Sequence, residues 1–147
     1  MSASELNGYY FEDLSAGMSA NFGKTLTEAD VVMFAGVSGD INPSHINEEF
    51  AKTTRLETRV VHGMLTASLI SAVLGCKLPG PGCLYVSQTS NFRAPVLIGE
   101  TVTARATVTR LDADRNFVEF DTICEVDGKT VVDGTALLWV PSRKKNK

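Results

Sequence analysis

The chain has 147 residues, of which 44% are hydrophobic and 21% charged, with a net charge of −3 at pH 7. That is the size and composition of one folded domain, able to bury about 68–70% of the surface of its unfolded form, and it excludes a disordered chain. The acidic balance excludes the basic face that nucleic-acid phosphates require.

The N-terminal stretch carries Glu5, Glu12 and Asp13 and shows neither a basic n-region nor an apolar h-region, so no leader peptide is expected. Residues 18–26 are a short extended candidate. Thr27 and Asp30 then form a capping box in which Asp replaces the usual Glu or Gln. Val31, Val32, Phe34 and Ala35 supply the apolar stripe of a helix that Gly39 terminates. After a polar loop, Asn47 caps a short helix through Glu48, Glu49, Phe50 and Ala51. The segment VVHGMLTASLISAVLG, 60–75, is apolar nearly all round and predicts a helix buried on most sides, with Met64, Leu65, Leu69, Ile70 and Val73 in the core.

Gly75, Pro79, Gly80, Pro81 and Gly82 end that helix, and everything beyond reads as strand. A strand is expected at 83–93. In 101–109, Val102, Ala104, Ala106 and Val108 alternate with polar residues, and in 117–126 Val118, Phe120, Thr122, Cys124 and Val126 form the inner set. Asp127-Gly128 marks a two-residue hairpin into a last strand near 129–140. Four strands in a meander plus the N-terminal strand can wrap their apolar face around the one apolar helix. This is an α+β arrangement, the hot-dog fold, in an antiparallel sheet around a long central helix. One domain spans 1–147, with an ordered core over about 10–140 and a solvated basic tail at 141–147. Cys76, Cys83 and Cys124 match no metal-binding spacing and read as reduced, buried residues. No apolar run reaches the ~20 residues of a membrane span. A cytoplasmic protein is expected.

The stretch GDINPSHINEEFA, 39–51, concentrates Asp40, Asn42, Ser44, His45 and Asn47 around Pro43. As a calcium loop it fails, because His45 stands where Gly is needed and Ala51 where a bidentate Glu is needed. The only histidines, His45 and His62, sit in no zinc motif, so no metal is expected. A polar turn in which Asp and Asn satisfy their own backbone accounts for the residue types alone. Two features favour chemistry. Pro43 stiffens a loop that displays a carboxylate and an imidazole, a pair suited to acid–base work on a shared water. Downstream, Gly63 opens the apolar helix with no side chain over its N–H, which suits an oxyanion.

FAGVSGDINPSHINEEFA (34–51), VVHGML (60–65) and LPGPGCLYVSQTSNFRAPVLIGE (78–100) together resemble the MaoC-like hydratases, above all single-domain (R)-specific enoyl-CoA hydratases. The resemblance implies (R)-specific hydration of trans-2-enoyl-CoA, with coenzyme A thioester as substrate and no cofactor. Asp40 and His45 fall on the catalytic pair, Gly63 on the residue whose N–H binds the thioester oxygen, and Ser71 on a residue lining the active site. Asn42 flanks these positions as a further substrate-site candidate, and His62, near the helix start, is read first as a histidine hydrogen-bonded to backbone and second as a substrate-site group. Asp40 is favoured as base and His45 as the group that orients water and supplies the α-proton. Asn47 departs from the family's common Asp, and Ser44 from a frequent apolar residue. Arg55, Arg59 and Arg93 are candidates for the coenzyme A phosphates. A homodimer or dimer of dimers is implied, protecting the open sheet edge, and both polyhydroxyalkanoate supply and fatty-acid metabolism are compatible. The competing readings are a dehydratase of acyl-carrier-protein substrates, a hot-dog acyl-CoA thioesterase, and a non-catalytic acyl-binding scaffold subunit.

Overall fold

A computed structural model describes residues 6–144. After a 3₁₀ turn at Phe11–Asp13, the chain forms β1 (Ser19–Thr25), α1 (Glu28–Ser38), α2 (Pro43–Ile46), α3 (Glu48–Ala51) and α4 (Gly63–Cys76). Five strands follow: β2 (Leu84–Gln88), β3 (Asn91–Phe92), β4 (Thr101–Asp112), β5 (Phe117–Val126) and β6 (Lys129–Trp139). They pair antiparallel with β1 in the order β1-β4-β5-β6-β2, and β3 also pairs with β6.

The capping box is present, with Thr27 N–H donating to the Asp30 carboxylate at 2.9 Å and Asp30 N–H to Thr27 Oγ1 at 3.4 Å. Gly39 ends α1 at φ 78°, a left-handed geometry that favours glycine. Asn47 Oδ1 accepts the Phe50 N–H and so caps α3. The strand alternation also holds. Val102, Ala104, Ala106 and Val108 on β4 and Val118, Phe120, Thr122, Cys124 and Val126 on β5 are buried, and they cover Leu65, Leu69, Ile70, Val73 and Leu74 of α4. This is the expected hot-dog layout.

Four expectations need correction. The meander has three strands, β4-β5-β6, because β1 occupies the free edge of β4 and β2 joins the far side of β6. Alternation shows which face a strand buries and carries no information about its neighbour. The strand expected at 83–93 is broken at Thr89 and Ser90 into β2 and β3. Helix α4 is buried over more than half of its circumference, as expected, but Met64, expected in the core, is 61% exposed on the open strip with Ser68 and Ser71. Of the cysteines only Cys124 is buried, where desolvation pushes its thiol up to about 12; Cys83 is half-buried and Cys76 exposed. Apolar neighbours in sequence do not say which side of a helix end a residue occupies.

The start of the basic tail is tied down rather than free. Arg143 donates to both oxygens of Asp13 at 2.7 and 2.8 Å and lies 4.3 Å from the centre of the Tyr10 ring. The Ser142 hydroxyl and the Arg143 N–H both donate to the Glu12 carboxylate. Lys145–Lys147 lie outside the described residues. The bonds from Ser142 and Arg143 hold the Glu12 carboxyl at about 2, down from an ordinary 4.5. A lowered folded value means the contact is fully present above pH 4.5 and lost as pH falls toward 2. In an NMR titration the Ser142 and Arg143 amide signals should therefore hold steady through pH 4.5 and move only as pH 2 is approached. Glu12→Gln should abolish that acid transition; an unchanged transition would place its origin elsewhere.

Candidate active site

Each residue of the 39–51 loop sets the next one. Asp40 N–H donates to Ser38 Oγ at 3.1 Å, and Asp40 Oδ1 accepts the Asn42 N–H at 3.2 Å. Asn42 Oδ1 accepts the Ser44 N–H at 3.0 Å and so caps α2, with Pro43 in the first turn. The polar-turn account is thus correct for both Asp40 and Asn42, each of whose side-chain oxygens accepts the N–H two residues on. His45, one helical turn on, is directed elsewhere. Its Nδ1 meets the Val60 carbonyl at 2.7 Å. A carbonyl only accepts, so Nδ1 carries the hydrogen and Nε2 is the free nitrogen of the ring.

Val60 is itself anchored. Its N–H donates to Ser44 O at 3.2 Å, it bridges Leu97, and the next N–H, of Val61, donates to Val96 O at 2.8 Å. The preceding residue, Arg59, donates in parallel to both oxygens of Glu28 at 2.8 and 2.7 Å and reaches Glu48 at 3.3 Å. This clamps the segment to the first turns of α1 and α3; the guanidinium holds the Glu28 carboxyl below its usual range, and the Arg59 backbone N–H, with the Thr58 hydroxyl and the guanidinium, does the same for Glu48. Arg59 is therefore a structural clamp, not a candidate for coenzyme A phosphates. Arg93 is paired with Asp133 at 2.7 Å, yet it lines the cavity described below. Arg55 forms no ion pair among the described residues and stands at the rim of the cavity described next.

Helix α4 begins at Gly63 with His62 as N-cap, and the His62 side chain makes no capping bond. The first N–H groups of α4 are left without a side-chain acceptor, and the helix dipole adds partial positive charge there. The Phe92 ring of β3 lies where a side chain on Gly63 would project, 2.9 Å from the position of its Cβ. Gly63 and His45 both line a cavity of about 320 Å³, walled by Val60, Thr66, Phe92, Pro95 and Val132.

His62 stands behind this surface. It is 1% exposed, its ring centroid is 3.9 Å from that of His45 and 5.0 Å from that of Phe34, and its Nε2 meets the Asp40 carbonyl at 2.9 Å. Ligating atoms of Asp40, His45 and His62 lie within 4.8 Å of one another, the composition of a two-histidine, one-carboxylate cation site. The two rings are inclined by only 31° at 3.9 Å, however, so their in-plane lone pairs run nearly side by side rather than converging on one ion. The arrangement favours stacking over chelation.

The fold thus brings together Asp40, Asn42, His45, His62 and Gly63. Ser71 is apart from them: it is exposed on the open side of α4 and does not line this cavity. Two contributors were not visible beforehand. The Val60 carbonyl is a backbone group with no side-chain signature. Phe92 was one apolar residue among many in a strand whose break could not be foreseen.

Comparison with known proteins agrees with this fold. A family model described as "MaoC like domain" matches residues 14–130. The chain is 54% identical to the (R)-specific enoyl-CoA hydratase of Rhodospirillum rubrum, over 97% of this chain and 99% of the relative. It is 47% identical to the 3-hydroxybutyryl-CoA dehydratase of Methylorubrum extorquens, over 96% of this chain and 90% of that protein. The solved structure of the (R)-hydratase of Aeromonas caviae involved in PHA biosynthesis superposes with a TM-score of 0.86 at 40% identity, covering 88% of this chain and 99% of that one. With more than half its length matched by the family model and its fold shared with a solved relative, the chain belongs to the MaoC-like domain family.

Proposed function

We propose that this protein catalyses the reversible, (R)-specific hydration of trans-2-enoyl-CoA to (R)-3-hydroxyacyl-CoA. The observation that carries the reading is that His45, which shares a cavity with Gly63 at the uncapped N-terminus of α4, has a ring nitrogen within 4.8 Å of a carboxylate oxygen of Asp40, itself outside that cavity's lining. A gap of that size is spanned by one water making hydrogen bonds of about 2.8 Å to each side. The names of the relatives from R. rubrum, M. extorquens and A. caviae support the same reaction.

In this reading the thioester oxygen accepts the Gly63 N–H, and the water oxygen attacks the β-carbon. Asp40 takes a proton from the water and His45, entering as the imidazolium, delivers its Nε2 proton to the α-carbon, so that H and OH add across the double bond; return of the proton from Asp40 to His45 Nε2 restores the starting state. The Val60 bond to Nδ1 is the same for neutral and protonated His45, which makes Nε2 the nitrogen that exchanges the proton. Arg55 and Arg93, which both line the cavity, are the cations available to a coenzyme A phosphate. The decisive experiment is hydration of crotonyl-CoA, followed as loss of enone absorbance, with chiral analysis of the product. The (R)-alcohol is expected. Release of free thiol without hydration would instead identify a thioesterase.

Gly63 offers a separate test of the N–H. Alanine and proline at this position both press a Cβ against Phe92, but only proline removes the donor. Proline suits the first position of a helix, and His62 at φ −54° and ψ 131° is extended, as a residue before proline must be. Gly63→Pro should therefore fall below Gly63→Ala in kcat by about 10²–10³-fold, the cost of one oxyanion donor. Equal rates for the two variants would move the oxyanion site elsewhere.

A cytoplasmic homodimer completes the proposal, with the products serving polyhydroxyalkanoate supply or fatty-acid metabolism. Edge strand β2 exposes Leu84, Tyr85 and Val86, and the open side of α4 exposes Met64, an apolar edge that a second copy would cover. Light scattering at micromolar concentration should give twice the chain mass; a monomer there would refute the dimer. No helix of the described residues is long and apolar enough to cross a membrane.

A further inference from the structure

We propose that His62 is a positioning residue, acting on the reacting groups through Asp40 and His45 rather than touching substrate; this rests on the hydratase reading. Its side chain is almost fully enclosed, at 1% exposure, and does not line the cavity that His45 and Gly63 share. Yet it touches every part of the site. Nε2 donates to the Asp40 carbonyl at 2.9 Å, the ring backs the His45 ring at 3.9 Å, and its backbone immediately precedes Gly63. Asp40 itself is otherwise braced by short-range bonds, to Ser38 and Asn42, while the loop's bonds to Val60 lie further on, at Ser44 and His45. The bond from His62 is the link that ties the Asp40 backbone to the base of α4, twenty-two residues away.

The unused nitrogen points to the same role. The carbonyl of Asp40 only accepts, so Nε2 carries the hydrogen, and Nδ1 is buried with no hydrogen-bond partner among the described residues. Burying an unpartnered polar atom is unfavourable, and a phenyl ring would fill similar space without that cost. An imidazole here is explained by what Nε2–H does, which is to hold the carboxylate-bearing residue at a fixed distance from the ring of His45. Errors of about 1 Å between reacting groups can cost on the order of 10²-fold in rate.

Two substitutions separate the bond from the ring. His62→Gln can place an amide N–H where Nε2–H stands but removes the ring; His62→Phe keeps a ring against His45 and Phe34 but removes the donor. The measurements are kcat and KM for crotonyl-CoA hydration, thermal unfolding, and amide hydrogen exchange at Asp40, Asn42 and His45. We expect Gln within about tenfold of wild-type kcat and Phe lower by on the order of 10²-fold. KM should hold near the wild-type value in both, and the loop amides should exchange faster only in the Phe variant. A Gln variant as slow as the Phe variant, a folded Phe variant at wild-type rate, or a loss confined to KM would each overturn the proposal. Wild-type protein that hydrates nothing would sink the hydratase reading instead. Amide exchange in the two variants would then still decide whether the Nε2–H bond holds the loop.

Discussion

Asp40→Asn and His45→Asn are each expected to lower kcat for crotonyl-CoA hydration by about 10²–10⁴-fold, the span of a general acid or base, with the fold retained. The substitutions are chosen from the bonding around each group. Asparagine at 40 keeps the side-chain oxygen that accepts the Asn42 N–H at 3.2 Å, so the loop stays braced while the negative charge is removed. Asparagine at 45 can place its amide N–H near the position of Nδ1, preserving the 2.7 Å bond to Val60 O and deleting Nε2 alone. Because both groups act on one water, the double variant should be little slower than the slower single variant. Circular dichroism and thermal unfolding check that the variants are folded. A folded variant of either kind at wild-type rate would remove that residue from the chemistry.

The largest effect on stability is expected at Gly134, in the body of β6. A Cβ there would sit 2.0 Å from the Thr89 carbonyl oxygen, 2.7 Å from its carbon and 3.2 Å from Ser90 Cα. All three atoms are backbone, so no rotamer change relieves the clash. The chain at Thr89 is held by its own bonds, its N–H donating to Thr135 O at 2.8 Å and its Oγ1 accepting the Thr135 N–H at 2.9 Å. On the other side Gly134 is paired with Thr122 of β5. Gly134→Ala should cost about 3 kcal/mol or more, lowering the melting temperature by roughly 10 °C. Gly36→Ala is the control. No atom lies within 4 Å of a Cβ at that position in α1, and removing a helical glycine should stabilise by about 0.5–1 kcal/mol. Unchanged melting of the Gly134 variant would mean that β6 and the Thr89 turn separate at little cost.

What the sequence made legible, and what it did not, divides by the range of the interaction. The Thr27 box, the Gly39 terminus, the Asn47 cap and the alternation in β4 and β5 all arise within a few residues of one another, and all are present. The Asp-x-Asn-Pro-x-His pattern led to Asp40 and His45 because its short-range bonds are encoded by the same residues that form it. The pairing of β2 with β6 depends on a fit between distant segments, which periodicity does not describe. The clamp of Arg59 on Glu28 and Glu48 was hidden for the same reason, since arginine spacing carries no mark of its partner. His62 was read first as a histidine bonded to backbone near the helix start, and its Nε2 bond to the Asp40 carbonyl agrees, but its place behind the His45 ring was not foreseen. Its place was set by the meeting of α1, the polar loop and α4.

The strand order also bears on how the molecule assembles. Strand β1 meets β4 in a register that joins Ser19 to Thr107 and Thr25 to Thr101, so the polypeptide from Asp40 to Gly63 lies inside one long closed loop. The β5–β6 hairpin, turning at Asp127 and Gly128, and helix α4 are local structures that form early, while β1 docks only after a remote closure that is entropically slow. During refolding, sheet and helix signals should thus recover ahead of enzymatic competence, because the catalytic loop acquires its final shape only when the last edge strand closes around it.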